Sequence, residues 1–335
     1  MEKNRNNIID ILRFFAACWV AVYHLNHPNF FPDNAYGSFI RLGYLGVPIF
    51  FVISGYCIAI SIKDATTANQ FLVRRFFRIF PTYWFSLALV VGVICINVFV
   101  HGSNSSAILP KNLTGILATL TLLTSPFSSV EPINWIYWTL TIEIIFYAII
   151  YIYLIVPTSI RFYLLLLVSL LPIFLHHEKG ALCFISYWPG FLLGFYLKQA
   201  QKNAYRFFDR EILLLLTALI GIYYNPSKDY FNMALYATGI ILLLNYYAPI
   251  KKNFAILGNF SYSIYLIHVP IGVYLLGYLR SMQLFKANLF LNIAFDFTVL
   301  LLVAFLAKLI YKKIEEPFIL RGKKASDLLT FHKPL

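Results

Sequence analysis

The feature that most constrains this chain is the segment of residues 8–26, which is apolar enough to enter a lipid bilayer yet carries Asp10, Arg13 and His24. Arg13 and His24 are eleven residues apart, so a helix puts both on one face, roughly 16 Å apart along its axis. An ionisable side chain in a membrane helix is costly unless it faces the protein interior or a wet cavity. The pattern predicts a polar stripe that lines a site. In the plainer alternative, Arg13 reaches the inner headgroups and His24 lies in the outer interface.

The composition is that of an integral membrane protein. Of the 335 residues, 60% are hydrophobic and 12% are charged, whereas soluble proteins average about 25% charged residues. A further apolar piece, residues 113–127, is punctuated by Thr, Gly and Pro and is expected to be interfacial or re-entrant. Hydropathy predicts an all-α, polytopic membrane protein with about ten transmembrane helices, at 8–25, 43–62, 80–100, 134–156, 162–175, 181–197, 212–224, 231–247, 256–280 and 288–311.

The distribution of charge predicts the orientation and argues against a nucleic-acid partner. The net charge is +13, but Lys and Arg are concentrated in short loops between apolar runs. With the N-terminus inside, inner segments carry 19 of these residues and outer loops carry 6. The positive-inside rule therefore predicts that both termini are cytoplasmic. We expect one membrane domain over 1–335, ending in a short basic tail at 318–335, and the four cysteines show no disulfide or metal spacing.

Two arginines after the second span form a candidate anion site. Arg75 and Arg78 are three residues apart, so they share a helix face at the predicted cytoplasmic mouth of the third span. Guanidinium groups match phosphate in a bidentate geometry, so the pair is suited to capture an inward-facing phosphate ligand. The alternative is ordinary positive-inside anchoring.

Two ionisable residues lie inside later spans. Glu143 is either a functional carboxylate or one half of a structural ion pair with Arg13. His268 lies in mid-span, and together with Ser261 and Tyr265 it follows a three-to-four spacing that gives its helix a polar stripe. A lone buried histidine is more often structural, and the stripe favours a role in a site.

Two other motifs are less specific when taken alone. Residues 43–56, which include Ser54, are rich in small side chains that let helices approach closely, so they indicate packing. Glu315 and Glu316 precede Pro317, and this pair would simply end the tenth helix. The sequence has no P-loop, dinucleotide fingerprint, zinc-binding His-Glu-x-x-His helix or nucleophile elbow.

Taken together and in this order, the pieces resemble the membrane acyltransferase-3 family, bacterial acyltransferases that O-acetylate surface polysaccharides. Arg13 and His24 are similar to the family's signature of an arginine, ten residues and a histidine. The resemblance extends from Asp10 to Pro317, with further similar motifs at residues 46–56, 75–78, 138–143, 261–270 and 315–317.

The resemblance implies transfer of an acyl group, usually acetyl, from cytoplasmic acetyl-CoA to a hydroxyl at the outer face of the bacterial inner membrane, with no permanently bound cofactor. In the family, the first-helix histidine is catalytic and the arginines contact the donor. Because Glu316 fills the variable position before Pro317, we favour Glu315 over it. The expected catalytic residues are His24, Arg13, Glu143, His268 and Glu315, and the expected donor-binding residues are Arg75, Arg78, Ser54 and Tyr265.

The expected mechanism has His24 as general base on the acceptor hydroxyl, with an acyl-histidine intermediate as the variant. A sugar of O-antigen, capsule or exopolysaccharide is the expected acceptor on family grounds. A peptidoglycan sugar, a lipid head group and a macrolide stay open. One alternative is a transporter or flippase for a lipid-linked substrate, with Arg13, Glu143 and His268 along a polar path. Another is a membrane scaffold.

Overall fold

The computed structural model of the protein describes residues 7–27, 32–64, 67–101, 109–176, 179–202, 209–247, 255–277, 279 and 288–329. In these ranges the chain is helical and contains no β-strand. Short 3₁₀ turns precede three of the helices, at Gly43–Leu45, Trp135–Tyr137 and Ile185–Tyr187, and π-helical segments occupy Val269–Leu275 and Tyr311–Glu315. The α-helices are α1 (Asn7–Asn26), α2 (Ala35–Arg41), α3 (Gly46–Asp64), α4 (Ala68–His101), α5 (Leu113–Thr121), α6 (Trp138–Ile155), α7 (Thr158–Phe174), α8 (Trp188–Lys202), α9 (Asp209–Tyr224), α10 (Lys228–Tyr247), α11 (Ala255–Asn259), α12 (Ser261–His268), α13 (Leu289–Ile310) and α14 (Glu316–Leu328).

The helices agree with the prediction of an all-α membrane protein. Among the described residues, five helical stretches are long and apolar enough to cross a bilayer: Asn7–Asn26, Ala35–Ile62, Ala68–Val100, Trp135–Ile155 and Leu289–Leu328. Three shorter apolar helices coincide with the fifth, seventh and ninth predicted spans. The sixth and eighth predicted spans coincide with α8 and α10. The number of crossings and the side of the termini remain predictions.

Local sequence explains where the observed helices differ from the predicted spans. The sixth span is predicted from residue 181, but α8 begins at Trp188, where Pro189 in the first turn favours a helix start. In the predicted interfacial piece, α5 has only nine residues, capped by the side chain of Asn112, which accepts a hydrogen bond from the Gly115 backbone N–H. A helix of that length cannot cross a bilayer, so the piece agrees with an interfacial or re-entrant element.

Among the described helices, α3 and α8 pack against each other most extensively. Gly55 and Gly194 make this packing possible, because a Cβ built on Gly55 would lie 1.9 Å from the Phe191 carbonyl oxygen and one on Gly194 would lie 1.8 Å from that of Val52. Small residues at such positions let membrane helices bring their backbones into contact. The small residues of the motif at residues 43–56 therefore do form a helix-packing site, as their composition indicates.

The helix that carries the last motif does not end there. Pro317 lacks an N–H, yet the π-helical segment Tyr311–Glu315 carries the chain from α13 into α14, with Pro317 in the first turn of α14 where an N–H is not needed. The alternative that Glu315 and Glu316 simply end the helix is therefore wrong. Residues 318–328 of the predicted tail are part of α14, while 330–335 lie outside the described residues.

α14 packs along the first turns of α4. The Gln70 side-chain amide donates to the Ser326 carbonyl oxygen at 2.9 Å, and the rings of Phe77 and Phe318 stack. Gly322 lies so close to Phe77 that a Cβ there would approach the Phe77 Cβ to 2.4 Å. The π-helical segment before α14 consequently holds Glu315 beside α4, where the arginines of the predicted donor site are found.

Candidate active site

A cavity of about 100 Å³ lies between α1, α3, α4, α6 and α12. These helices turn their ionisable and polar side chains inward, as a bilayer requires. Three predicted site residues, His24, His268 and Glu315, do not line it. The other six do: Arg13, Ser54, Arg75, Arg78, Glu143 and Tyr265.

Glu315 holds Arg78 in the cavity wall. The Glu315 side chain has no exposed surface; one of its oxygens forms an ion pair with Arg78, and the other accepts a hydrogen bond from Ser263 Oγ at 2.6 Å. The Arg78 guanidinium also lies 5.6 Å from the ring centroid of Tyr262. A buried ion pair needs this full set of partners to offset desolvation. The ion pair and the Ser263 hydrogen bond thereby join α4, α12 and the π-helical segment that follows α13. Glu316, by contrast, is exposed.

Glu143 is held by hydroxyl groups. Its Oε1 accepts hydrogen bonds from Ser54 Oγ at 3.0 Å and from Tyr147 Oη at 2.5 Å. Arg13 instead donates to Cys57 Sγ at 2.9 Å. No ion pair joins Glu143 to Arg13 within the described part of the chain, so that structural alternative for the two residues is wrong.

Arg75 has aromatic neighbours in place of a carboxylate. Its guanidinium lies 5.7 Å from the ring centroid of Phe71 and 5.6 Å from that of Tyr147. Its Nε is buried and has no hydrogen-bond partner among the residues described. In the described ranges, therefore, Arg13 and Arg75 have no carboxylate partner, whereas Arg78 does. Fixed cations that are not neutralised make a cavity attractive to anions.

The two histidines form a separate group, against the aromatic ring of Trp135. The rings of His24 and His268 stack with centroids 5.4 Å apart and planes inclined by 29°. Trp135 Nε1 donates a long hydrogen bond of 3.4 Å to His24 Nδ1. His268 is 1% exposed, and its Nδ1 lies 2.7 Å from the carbonyl oxygen of Tyr265. Within this group His268 is buried, His24 is partly buried and Trp135 is 42% exposed.

The position of His268 has a local cause in the sequence that follows it. Pro270 has no N–H to donate to the Leu266 carbonyl oxygen four residues earlier, and Ser86 Oγ donates to that oxygen instead, at 3.2 Å. Gly272 approaches α1 so closely that a Cβ would lie 2.6 Å from Leu25 Cδ2. The chain is π-helical here, a conformation that often occurs at functional sites.

Tyr265 connects the cavity to the histidines. It lines the cavity, its hydroxyl is 2.8 Å from Thr139 Oγ1, and its ring centroid is 5.7 Å from that of His268. The expectation that Arg13 and His24 line one site therefore needs correction, because only Arg13 faces the cavity. Three helical turns separate the two residues along α1.

Sequence reasoning missed several polar residues near these groups. Tyr147 follows Glu143 by four positions, so helical spacing would have placed both on one face. Ser263 lies between two recognised motif residues but gave no signal of its own. Asp296 is a carboxylate inside a predicted span, which is a sufficient signal. It accepts hydrogen bonds from Asn26 Nδ2 and Tyr36 Oη and does not line the arginine cavity.

A family model described as "Acyltransferase domain", that of the acyltransferase-3 family, matches residues 6–311 of this chain. The chain belongs to the membrane acyltransferase-3 family. The family resemblance predicted from the motifs is thus confirmed, and membership favours an acyltransferase over the transporter and scaffold alternatives.

Curated relatives match only parts of this acyltransferase-3 chain. Nodulation protein 10 of Rhizobium leguminosarum bv. viciae is 29% identical over 160 residues, which is 43% of this chain and 42% of that protein. Peptidoglycan O-acetyltransferase OatA of Listeria monocytogenes is 34% identical over 113 residues, or 32% of this chain and 15% of OatA. Exopolysaccharide production protein ExoZ of Rhizobium meliloti is 32% identical over 117 residues, or 34% of this chain and 35% of ExoZ. The matches thus span less than half the length of these relatives. No solved structure matches the chain significantly.

Proposed function

We propose that this protein is a membrane O-acetyltransferase that moves an acetyl group from cytoplasmic acetyl-CoA to a hydroxyl of a sugar at the outer face of the bacterial inner membrane. The observation that carries the proposal is the arrangement of two groups. A cavity with arginines adjoins the pair formed by His24 and His268, and Tyr265 contacts both the cavity and His268. The first group suits an anionic donor, and the second suits proton transfer.

The donor binds at the arginine end. Arg75 is the arginine we assign to a CoA phosphate, because its guanidinium has no carboxylate partner in the described residues and its Nε has no acceptor. Arg13, whose hydrogen bond goes to the Cys57 thiol, provides a second positive charge in the cavity lining. Arg78 has a different role, because Glu315 already neutralises its charge. It shapes the wall, and Ser54 and Tyr265 line the path of the pantetheine arm.

His24 is the general base. It removes the proton of the acceptor hydroxyl as the oxygen attacks the thioester carbonyl carbon, so an ester C–O bond forms, the C–S bond breaks and CoA leaves. Glu143, held by two hydroxyls, lies on the cavity side and keeps Ser54 and Tyr147 in place. Direct transfer needs no covalent intermediate on the enzyme.

The names of the relatives support a sugar acceptor. OatA is named for the O-acetylation of peptidoglycan and ExoZ for the production of exopolysaccharide. Because each match covers only part of those proteins, the acceptor is assigned here as a class, a hydroxyl of a surface polysaccharide or its lipid-linked precursor.

The test is acetyl transfer by the full chain in nanodiscs. The donor is acetyl-CoA labelled in the acetyl group, and the acceptor is surface polysaccharide from the native cells, stripped of O-acetyl esters by mild alkali. We expect release of CoA thiol in equal amount to alkali-labile acetyl on the polysaccharide, with no release from empty nanodiscs. If thiol is released without polysaccharide acetylation, the acceptor class is wrong. If acetyl-CoA is not consumed in the presence of the polysaccharide, the proposed function is wrong.

A further inference from the structure

We propose that His268 is a positioning residue that works through His24, so that the acceptor proton crosses a relay of two imidazoles. The inference rests on the acyl transfer proposed above and adds a second histidine to it. It starts from the stacked rings of His24 and His268, 5.4 Å apart, and from the hydrogen bonds that fix the hydrogen on each ring.

The hydrogen bonds of His268 determine which of its nitrogens can accept a proton. Nδ1 lies 2.7 Å from the carbonyl oxygen of Tyr265 and 3.3 Å from that of Ile264. A carbonyl oxygen can only accept, so Nδ1 carries the hydrogen of the neutral ring and Nε2 keeps its lone pair. Nε2 is buried and has no hydrogen-bond partner among the described residues. A buried, unpaired acceptor is costly, which makes this one a candidate for function.

His24 has the complementary arrangement. An indole N–H can only donate, so the hydrogen bond from Trp135 Nε1 makes His24 Nδ1 an acceptor. The hydrogen of the neutral ring is then on Nε2. One ring of the stacked pair thus offers an N–H and the other an unpaired lone pair. No hydrogen bond joins these two nitrogens in the structure, so the relay forms when the bound acceptor takes the place of Trp135 on His24 and the His24 ring turns its Nε2–H toward His268 Nε2.

Among the groups around His24, His268 is the one that can accept a proton from the imidazolium that forms on His24. No carboxylate contacts either ring within the described residues, so the pair lacks the acidic group that orients histidine in a Ser-His-Asp triad. The other titratable groups that face the pair are Tyr23 from α1, His27 directly after α1, and Tyr265 from α12. Among these, only His27 is another imidazole, and it is exposed.

The proposed step balances as follows. The acceptor hydroxyl displaces the weak Trp135 hydrogen bond, and its proton goes to His24 Nδ1 while the proton on His24 Nε2 passes to His268 Nε2. The acceptor oxygen bonds to the acyl carbon, and the C–S bond breaks with its electron pair on sulfur. The protons then return through the same rings to the thiolate, and CoA leaves as the thiol.

The experiment compares His268→Asn with wild type. Asparagine keeps an N–H near the position of Nδ1 that can donate to the Tyr265 carbonyl oxygen, but it has no second basic nitrogen. We expect kcat to fall about 100-fold, as for loss of an acid–base group, with the KM for acetyl-CoA and the unfolding temperature unchanged. The assay is thiol release in nanodiscs with de-O-acetylated surface polysaccharide as acceptor. In mixtures of H₂O and D₂O, the wild-type rate should depend on deuterium content along a curve, as for two transferred protons, and the residual rate of His268→Asn along a straight line.

Two outcomes would contradict the relay alone, and a third would contradict the proposed function. If His268→Asn keeps more than half the wild-type kcat, His268 is structural and the relay is wrong. If the rate of wild type depends linearly on deuterium content, one proton moves and the relay is again wrong. If wild type does not consume acetyl-CoA, the proposed function fails and the relay fails with it. If His268→Asn unfolds at a lower temperature, His268→Gln replaces it under the same two criteria.

Discussion

The arginine-lined cavity and the histidine pair differ in how the protein manages charge. Three arginines line the cavity, and only Arg78 is paired with a carboxylate among the described residues, the buried Glu315. Around His24 and His268 the neighbours are aromatic rings and backbone carbonyls. The cavity therefore maintains fixed charge, which suits binding of an anion. The histidine pair has no carboxylate or fixed cation in contact with it among the described residues, which suits proton transfer.

This contrast predicts that substitutions in the two regions affect different kinetic constants. Changes at the histidines should lower kcat, because they remove an interaction made only in the transition state. Changes at Arg75 should raise KM, because they remove binding that the ground state shares. Changes at the Arg78–Glu315 pair should mainly lower the free energy of unfolding.

The largest effect is expected at His24. His24→Gln should lower kcat by about 10²–10⁴-fold, the usual contribution of a general base, and leave the KM for acetyl-CoA unchanged, because the arginines are untouched. Initial rates of thiol release in nanodiscs measure both constants. The matched control is His27→Gln, which changes an exposed histidine directly after the same helix and should keep wild-type rates. A His24→Gln protein with rates like the control would mean that His24 is structural.

Next comes the buried carboxylate. Glu315→Ala leaves Arg78 without its partner, which typically costs 3–5 kcal/mol when both charges are buried. The Arg78 side chain keeps 25% of its surface exposed, so we expect a loss of about 3 kcal/mol, at the low end of that range. Denaturant unfolding in detergent micelles measures it.

Replacing both charges tests the cause of that loss. The double variant Arg78→Met with Glu315→Leu should recover most of the stability, since no buried charge is left unpaired. If Glu315→Ala alone unfolds like wild type, the ion pair does not hold the cavity wall.

A smaller effect is expected at Arg75. Loss of a hydrogen bond to a charged group costs about 1.5–3 kcal/mol, so Arg75→Gln should raise the KM for acetyl-CoA by about 10- to 100-fold. The KM for acetyl-pantetheine, which has no phosphate, should stay the same. Arg74→Gln is the matched control, because Arg74 points to Ser326 and Asp327 of α14. If Arg75→Gln raised the KM for acetyl-CoA and for acetyl-pantetheine equally, Arg75 would not bind a CoA phosphate.

The smallest effect is expected at the ion pair between Arg74 and Asp327. The Asp327 side chain is 53% exposed, and exposed pairs are worth at most about 1 kcal/mol. Asp327→Asn should therefore change the unfolding free energy by less than that, and added salt should shrink the difference further. The comparison with Glu315→Ala, measured in the same detergent, separates a surface contact of α14 from the buried one. A loss as large as that of Glu315→Ala would contradict this distinction.

Much of the fold was predictable because a bilayer constrains sequence strongly. Long apolar runs gave the helices, and the order of the motifs gave the family. The details at prolines were not predictable. Pro317 reads as a helix stop, yet a π-helical segment carries α13 into α14, and packing of Phe318 of α14 against Phe77 of α4 holds the continuation in place. That outcome depends on contacts between residues far apart in the chain.

The sequence by itself determined that Arg13 and His24 share a helix face, that Arg75 and Arg78 lie together, and that Glu143 and His268 lie inside apolar helices, because these follow from helical periodicity and hydropathy. Only the tertiary structure decided their partners. It gave Glu315 to Arg78, Glu143 to two hydroxyls and His268 to His24. Pairing depends on how distant helices pack, and the glycine and π-helical contacts that set this packing carry no periodic signal.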